Sequence, residues 1–265
     1  MNAIALKQGS PEWHAWRREG LGGSDAPVVE GISPYRTPRQ LALEKLGALT
    51  ESEEDSKEFI FSMGHKTESL IRAQFRELTG AEMTPVCVVH PDFSYLRASL
   101  DGFDDKFGIL EGKLVGQAVL EEARGGKIPG HHYSQIQHQF AVTEVVDRAQ
   151  WFGHDGKKSG VLVEVRRDNS YIERLLDREH AFWDALKRGE LPALTDRDYL
   201  VPADDTLLRE LRDAKEHAEN AQAAFEALRA KAAAHYGHAR VSGGGLKLIK
   251  VVSESWTVRI DKEPK

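Results

Sequence analysis

Three short apolar runs, Val86–His90, Tyr95–Leu100 and Ile109–Val115, stand between turn formers in the middle of a chain whose flanks carry helical signals. Runs of this length bounded by turn residues read as strands, and strands so close in sequence are neighbours in a sheet. The connection between the last two is Asp104-Asp105-Lys106-Phe107-Gly108, which predicts a meander. A half-apolar sheet must bury its faces, so this feature obliges the flanking helical segments to pack on it.

Those segments are legible. Ser10-Pro11 opens one, Ser24 or Asp25 caps another, and Thr37-Pro38 starts a helix over Arg39–Leu46 with proline in the favoured first position. A longer helix is expected from Asp55 to Thr79, stopped by Gly80. Beyond the meander come a helix over His131–Val145, strands at Ala149–Gly153 and Val161–Val165, and an amphipathic helix over Asn169–Arg188. The fold class is therefore α/β, a central mixed sheet flanked by helices over residues 1–190.

The 265 residues exceed what one such core needs. Residues 191–204, with Pro192 and Pro202, read as a linker, and residues 205–265 as a C-terminal helical and short β appendage. Its helix carries a heptad seam of Leu207, Leu211, Ala214, Ala218, Ala221, Phe225, Leu228 and Ala232. That seam suits packing on its own domain as well as pairing with another chain. Gly244–Ile260, containing Trp256, is expected to form a small strand pair.

A net charge of −6 excludes a uniformly basic nucleic-acid coat, but a nuclease needs only a local basic groove beside metal-binding carboxylates. The single cysteine, Cys87, excludes an internal disulfide and a cysteine zinc site, and in Val86-Cys87-Val88-Val89 it reads as a buried strand residue. No apolar run approaches the ~18–20 residues of a membrane span, and Lys7, Glu12, Arg17 and Arg18 interrupt the first twenty residues. A cytosolic location is the default expectation, with no membrane partner.

The chemistry concentrates at Asp101, Glu111 and Lys113. Carboxylates hold hard divalent cations, and a lysine beside them can orient a water for phosphodiester hydrolysis. Residues two apart on a strand share a face, so Glu111 and Lys113 point together, with Asp101 joining from the neighbouring strand's end at the turn Ser99-Leu100-Asp101-Gly102. An acid, one spacer and a lysine also occur at Asp55, Asp104, Asp155, Asp213 and Glu263, but only Glu111-Gly112-Lys113 sits inside an apolar strand. From spacing alone, an exposed strand edge with a surface ion pair remains an equal reading.

The segment Trp13 to Asp25 reads Trp-His-Ala-Trp-Arg-Arg-Glu-Gly-Leu-Gly-Gly-Ser-Asp, followed in order by Gly64-His65-Lys66-Thr67-Glu68, Ser99-Leu100-Asp101-Gly102, Leu110-Glu111-Gly112-Lys113 and Tyr133-Ser134-Gln135-Ile136-Gln137. This series resembles the phage lambda exonuclease and YqaJ-type viral recombinase (alkaline exonuclease) family over roughly residues 8 to 190. The resemblance implies a restriction-endonuclease-like core and a Mg²⁺-dependent exonuclease that degrades the 5′ strand of duplex DNA ends. Two ions are implied, with Mn²⁺ able to substitute. The implied product is a 3′ single-stranded tail, passed to a single-strand annealing protein in phage recombination. A homo-oligomer is implied too, with a ring-shaped trimer as its form.

By motif position, the resemblance makes Asp101, Glu111 and the Gly112 carbonyl metal ligands and Lys113 the group that positions the attacking water. Glu68 and Gln135 would be supporting positions for metal-bound water or the nucleophile, and Arg17, Ser24 and Ser99 would contact phosphate. A helix starting after two glycines would independently suit a terminal phosphate at Ser24, although a plain N-cap explains the same residues. Leu100 stands where proline is usual, and Gly112 where a bulkier residue is common, which would loosen the strand without removing a ligand. His90, His131 and His132 lack metal-ligand spacing and read as structural or DNA-backbone residues. The basic, glycine-rich stretch Arg124–Gly130 is either a phosphate-tracking loop or a mobile surface loop. An endonuclease or nickase on the same core, or a DNA-binding scaffold without catalysis, are the competing functions.

Overall fold

The computed structural model describes residues 1–48, 69–144, 146–156, 160–199, 204–237, 240–250 and 256–260. It divides into two compact units, Met1–Tyr199 and Leu200–Lys265.

The first unit is built on a six-stranded sheet in sequence order, β1 to β6. The strands are β1 (Asn2–Ile4), β2 (Thr84–Val89), β3 (Arg97–Asp104), β4 (Gly108–Leu114), β5 (Arg148–His154) and β6 (Gly160–Arg166). All neighbours are antiparallel except β4 and β5, which are parallel. A parallel pair needs a long crossover, and here it consists of α5 (Gln117–Arg124) and α6 (Gly130–Thr143). The expected meander is β2-β3-β4, and the sheet is mixed as expected.

Alternation along the strands covers the two faces differently. In β4 and β5, Ile109 and Trp151 join a core with Ile136 and Phe140 of α6. Their neighbours Leu110 and Phe152 join a second core with Ile71 and Phe75 on α4, the helical residues 69–79. On the α6 side α2 (Ala26–Val29) and α7 (Asn169–Lys187) pack against that helix.

The local signals act as their chemistry dictates. Ser10 Oγ accepts the Trp13 N–H at the start of α1 (Pro11–Arg18), and Thr37 and Gln40 close a capping box on α3 (Pro38–Lys45). Gly80 follows α4 with φ +74°. Two elements of the first unit went unread: β1, too short to show a period, and α5, whose single apolar stripe is Leu120 and Ala123 behind Gly116. Part of the expected linker belongs to the first unit, because Arg39 Nη1 donates to the Pro192 carbonyl at 2.9 Å, Arg197 Nη1 to Ser33 O at 2.7 Å, and Thr37 bonds Asp198.

The second unit contains α8 (Thr206–Tyr236), where the heptad pattern lies, and a three-stranded sheet of β7 (Arg240–Gly243), β8 (Leu246–Lys250) and β9 (Trp256–Ile260). Three strands replace the expected pair because Gly244 and Gly245, at φ +58° and +74°, form a two-residue hairpin turn that recruits Arg240–Gly243. Among the described residues, no helix is long and apolar enough to cross a membrane.

Candidate active site

Glu111 lies on the β4 face turned toward α6 and is 1 % exposed. Its Oε1 accepts from Gln135 Nε2 at 2.6 Å and faces Lys113 Nζ at 2.6 Å, while Oε2 accepts from Gln139 Nε2 at 2.6 Å. Gln135 and Gln139 are one helical turn apart, so α6 presents both amides to one carboxylate. Three donors compensate a buried carboxylate that would otherwise be costly to keep dry and leave a lone pair of Oε2 open. Burial works to lower the Lys113 pKa, but the Glu111 and Asp101 carboxylates more than reverse this and raise it above the ordinary lysine value. Lys113 is therefore an ammonium here, a donor and a positioning charge.

Asp101 differs from its expected setting. It lies inside β3, not in a turn, and the strand carries a β-bulge there: Val86 pairs with Leu100 but Thr84 pairs with Phe103, so two steps of β2 match three of β3. The extra residue falls at Asp101-Gly102. The β3–β4 pairing runs to Gly102 opposite Leu110, and the Gly112 N–H, two residues on, donates to Asp101 Oδ2 at 2.9 Å. Within a strand the N–H and C=O of one residue point to the same edge, so the Gly112 carbonyl faces Asp101's side as well. A glycine inside a strand pattern is itself a bulge signal, and Gly102 could have revealed it.

Gly112 does not loosen β4. Its Cα faces α4, where an added Cβ would stand 2.6 Å from Ile71 Cγ2 and 2.9 Å from Ile71 Cδ1. The missing side chain is the seat of Ile71.

Arg17, Ser24 and Ser99, far apart in sequence, form one connected group. Arg17 Nη2 donates to Ser24 Oγ at 2.7 Å, its guanidinium lies 4.8 Å from the centre of the Trp13 ring, and Trp13 Nε1 donates to Ser99 Oγ at 2.7 Å. The group borders the carboxylate site, since a Cβ at Gly23 would lie 3.2 Å from Gln135 Cγ and 3.4 Å from Gln139 Cγ. Glu68 lies outside the described residues.

The helix expected after Ser24 is only four residues long, and neither Ser24 nor Asp25 caps it with a side chain. Asp25, 1 % exposed, instead accepts the Gly22 N–H at 3.0 Å and pairs with Lys45 at 2.8 Å and Arg36 at 3.0 Å. Burial pushes its carboxyl upward, but Lys45, Arg36 and Arg17 overcome that and hold it far below the usual carboxylate range. Lys45 also donates to the Arg17 carbonyl at 2.9 Å, which fixes the end of α1 beside the Ser24 turn. The positive charge at this place is thus carried by side chains, Arg17, Arg36 and Lys45, and little by the dipole of a four-residue helix.

The histidines are mostly structural. His90 Nδ1 accepts the N–H groups of Asp92 and Phe93 at 3.1 and 3.3 Å, and His132 Nδ1 accepts from Trp151 Nε1 at 3.2 Å. Burial, followed by the positive field of Lys113, drives the His132 pKa down to about 2. His138 is the opposite case: Nδ1 faces Glu179 Oε1 at 2.7 Å and Nε2 faces the Arg97 carbonyl at 2.8 Å. Two acceptors require both nitrogens protonated. Burial opposes the charge, but Glu179 and the Arg97 carbonyl outweigh it and raise the pKa. This imidazolium bolts α6, and with it Gln135 and Gln139, to β3 and α7. The stretch Arg124–Gly130 is the end of α5 and a short connection into α6.

Residues Gln139, Trp13, Asp25, Arg36 and Lys45 escaped the sequence reading as members of this site. Only Gln139 had a local signal, its four-residue spacing from Gln135.

Among the described residues no cluster of three His, Cys, Asp or Glu side chains forms a closed metal cage. The oxygen donors of Asp101, Glu111 and the Gly112 carbonyl nonetheless suit a hard divalent cation.

Comparison with known proteins gives a family model, the YqaJ-like viral recombinase domain, matching residues 12–146. The uncharacterized protein YqaJ of Bacillus subtilis (strain 168) is 30% identical over 188 residues, 69% of this chain and 58% of that protein. The chain therefore spans less than two thirds of that relative's length. Among solved structures, an alkaline exonuclease (LHK-Exo) from Laribacter hongkongensis matches with TM-score 0.55 at 21% identity, covering 68% of this chain and 94% of that one. LHK-Exo in complex with dAMP matches with TM-score 0.54 at 20% identity over the same shares. At such identity the likeness is one of fold, an α/β core with a mixed sheet flanked by helices.

Proposed function

The chain belongs to the YqaJ-like viral recombinase domain family, and on that premise we propose that it is a Mg²⁺-dependent deoxyribonuclease. It degrades one strand of linear duplex DNA from the 5′ end and leaves 3′ single-stranded tails for recombination by strand annealing. The observation that carries this reading is the convergence on Glu111: Lys113 and Gln135 meet its Oε1 and Gln139 its Oε2, beside a bulged Asp101 bonded to Gly112 N–H. A surface ion pair has no use for a carboxylate that is 1 % exposed and held by two glutamines.

Asp101, Glu111 and the Gly112 carbonyl would hold the divalent ions, two Mg²⁺ with Mn²⁺ able to substitute. When bound, these supply Lewis acidity toward the phosphodiester and lower the pKa of water. The chain's own groups do the rest. Gln135 and Gln139 fix the Glu111 rotamer, so its lone pairs are aimed before substrate arrives. Lys113, an ammonium, orients the nucleophilic water and offsets charge on the phosphate. Glu68 is assigned a supporting role with Gln135. Arg17, Ser24 and Ser99 receive the terminal phosphate, in keeping with Arg17 being aimed by Trp13 and Ser24. The working form is a homo-oligomer in the bacterial cytoplasm, a ring-shaped trimer that hands its product to a single-strand annealing protein.

The test is digestion of linear duplexes labelled at either the 5′ or the 3′ end, with and without Mg²⁺, alongside closed circles. Early release of the 5′ label only with Mg²⁺ supports the reading. Efficient cutting of circles points to an endonuclease, and binding without cleavage to a scaffold. Lys113→Ala should abolish turnover while DNA binding persists through the many phosphate contacts.

A further inference from the structure

One exposed aromatic and one orphaned histidine nitrogen sit beside the proposed centre without a role in it. His131, Gln135 and Gln139 are spaced i, i+4, i+8 on α6, so His131 extends by one turn the stripe that holds Glu111. Its Nε2 is buried and has no hydrogen-bond partner among the described residues. Buried polar atoms are rarely left unpaired, and an unpaired one beside a site calls for a partner outside the chain, a ligand atom or an ordered water. Burial, and after it the nearby ammonium of Lys113, lowers the His131 pKa.

Tyr35 meets the His131 ring edge-to-face, with centroids 5.9 Å apart and planes at 82°, yet is 71 % exposed. Its loop is braced on both sides. Ser33 Oγ accepts the Tyr35 N–H at 3.2 Å, and the next residue, Arg36, pairs with Asp25 at 3.0 Å. An aromatic held open to solvent on a braced loop offers a planar face that has lost little entropy to position. Arg17 and Lys113 can grip phosphate, but Trp13, the one aromatic among the residues assigned so far, is buried and offers no open face to a base.

Building on the nuclease reading, we propose that His131 and Tyr35 seat the nucleotide being removed: His131 donates from Nε2 to a phosphate oxygen, and Tyr35 stacks on the base. The ligand class is a deoxynucleoside monophosphate unit at a strand end, recognised without sequence preference, since every base has a π-face. His131 in this role is neutral, with Nε2 carrying the proton.

The experiment compares wild type with Tyr35→Ala, Tyr35→Phe, His131→Ala and His131→Gln on two 5′-phosphorylated linear duplexes. One has a normal terminal nucleotide and the other an abasic one. Wild type should prefer the normal end, Tyr35→Ala should lose that preference and raise KM on the order of tenfold, and Tyr35→Phe should restore the preference. His131→Ala should lower kcat/KM at both ends by roughly tenfold or more, with His131→Gln recovering much of it because its amide reaches where Nε2 was. Direct titration with deoxyadenosine monophosphate and with deoxyribose 5-phosphate, needing no cleavage, separates this inference from the nuclease reading. Weaker dAMP binding in Tyr35→Ala and in His131→Ala supports the seat even if wild type leaves duplexes intact. Unaltered dAMP binding with an unaltered end preference in both alanine variants overturns it, whatever the cleavage activity of wild type. Thermal unfolding of each variant identifies any that lose activity through misfolding, and for those the Phe and Gln variants decide.

Discussion

Replacing Gly112 by alanine probes the contact between the proposed site and the helix behind it. The added Cβ would stand 2.6 Å from Ile71 Cγ2, 2.9 Å from Cδ1 and 3.4 Å from Cβ, whereas carbon atoms attract only near 3.5–4.0 Å. Ile71 is 2 % exposed and β-branched, so it cannot swing aside cheaply. Either α4 lifts from the sheet or β4 bows toward α6. Overpacking of this kind costs about 1–3 kcal/mol, which in a unit the size of Met1–Tyr199 lowers Tm by roughly 2–12 °C. Because Glu111 and Lys113 flank the glycine, bowing displaces both, and a misplacement near 1 Å can cost about 10²-fold in rate. Calorimetry and steady-state digestion of a linear duplex measure the two effects. Ile71→Ala removes both clashing atoms. By itself it should cost about 2–5 kcal/mol as a cavity, but Gly112→Ala/Ile71→Ala should be more stable than additivity predicts by about 0.5–3 kcal/mol. A wild-type Tm and rate for Gly112→Ala, or strict additivity in the double variant, would refute the reasoning.

Gln139→Ala strips Glu111 Oε2 of its 2.6 Å donor, and should cost about 1–3 kcal/mol of stability with a larger loss in kcat than in DNA binding; equal losses in denaturation and binding assays would make Gln139 a packing residue only. Arg17→Ala should weaken discrimination between 5′-phosphorylated and 5′-hydroxyl ends in a competition digest, and an unchanged ratio would reject the pocket assigned to Arg17, Ser24 and Ser99. The raised pKa of His138 adds stability that is complete below the unfolded value of about 6.5 and is lost as pH rises through the higher folded value. Denaturant midpoints should therefore fall on the alkaline side in wild type and do so less in His138→Gln; parallel profiles would show that the imidazolium is not the cause.

Local chemistry was open to reading from the chain alone wherever nearest neighbours decide the outcome. Ser10 and Thr37 cap their helices because a hydroxyl before a proline-led turn reaches the free N–H groups. Strand alternation assigned Glu111 and Lys113 to one face before any fold was known. The Asp104–Gly108 turn specified a meander, and a mixed sheet followed from what lay on either side. What packing decided is of another kind. The bulge at Asp101 has a local hint in Gly102, but its place is set by the pairing of β2 with β3, which keeps Asp101 inside the sheet. Gln139 belongs to the site only because α6 crosses β4 with that face inward, and Trp13 joins Ser99 across 86 residues of sequence. Asp25, which looks like a helix cap, becomes a buried ion-pair hub once Lys45 and Arg36 fold over it. Sequence patterns report the period of an element and the preferences of its ends, whereas a site made of side chains from several elements depends on crossing angles and register, which only the packed core sets.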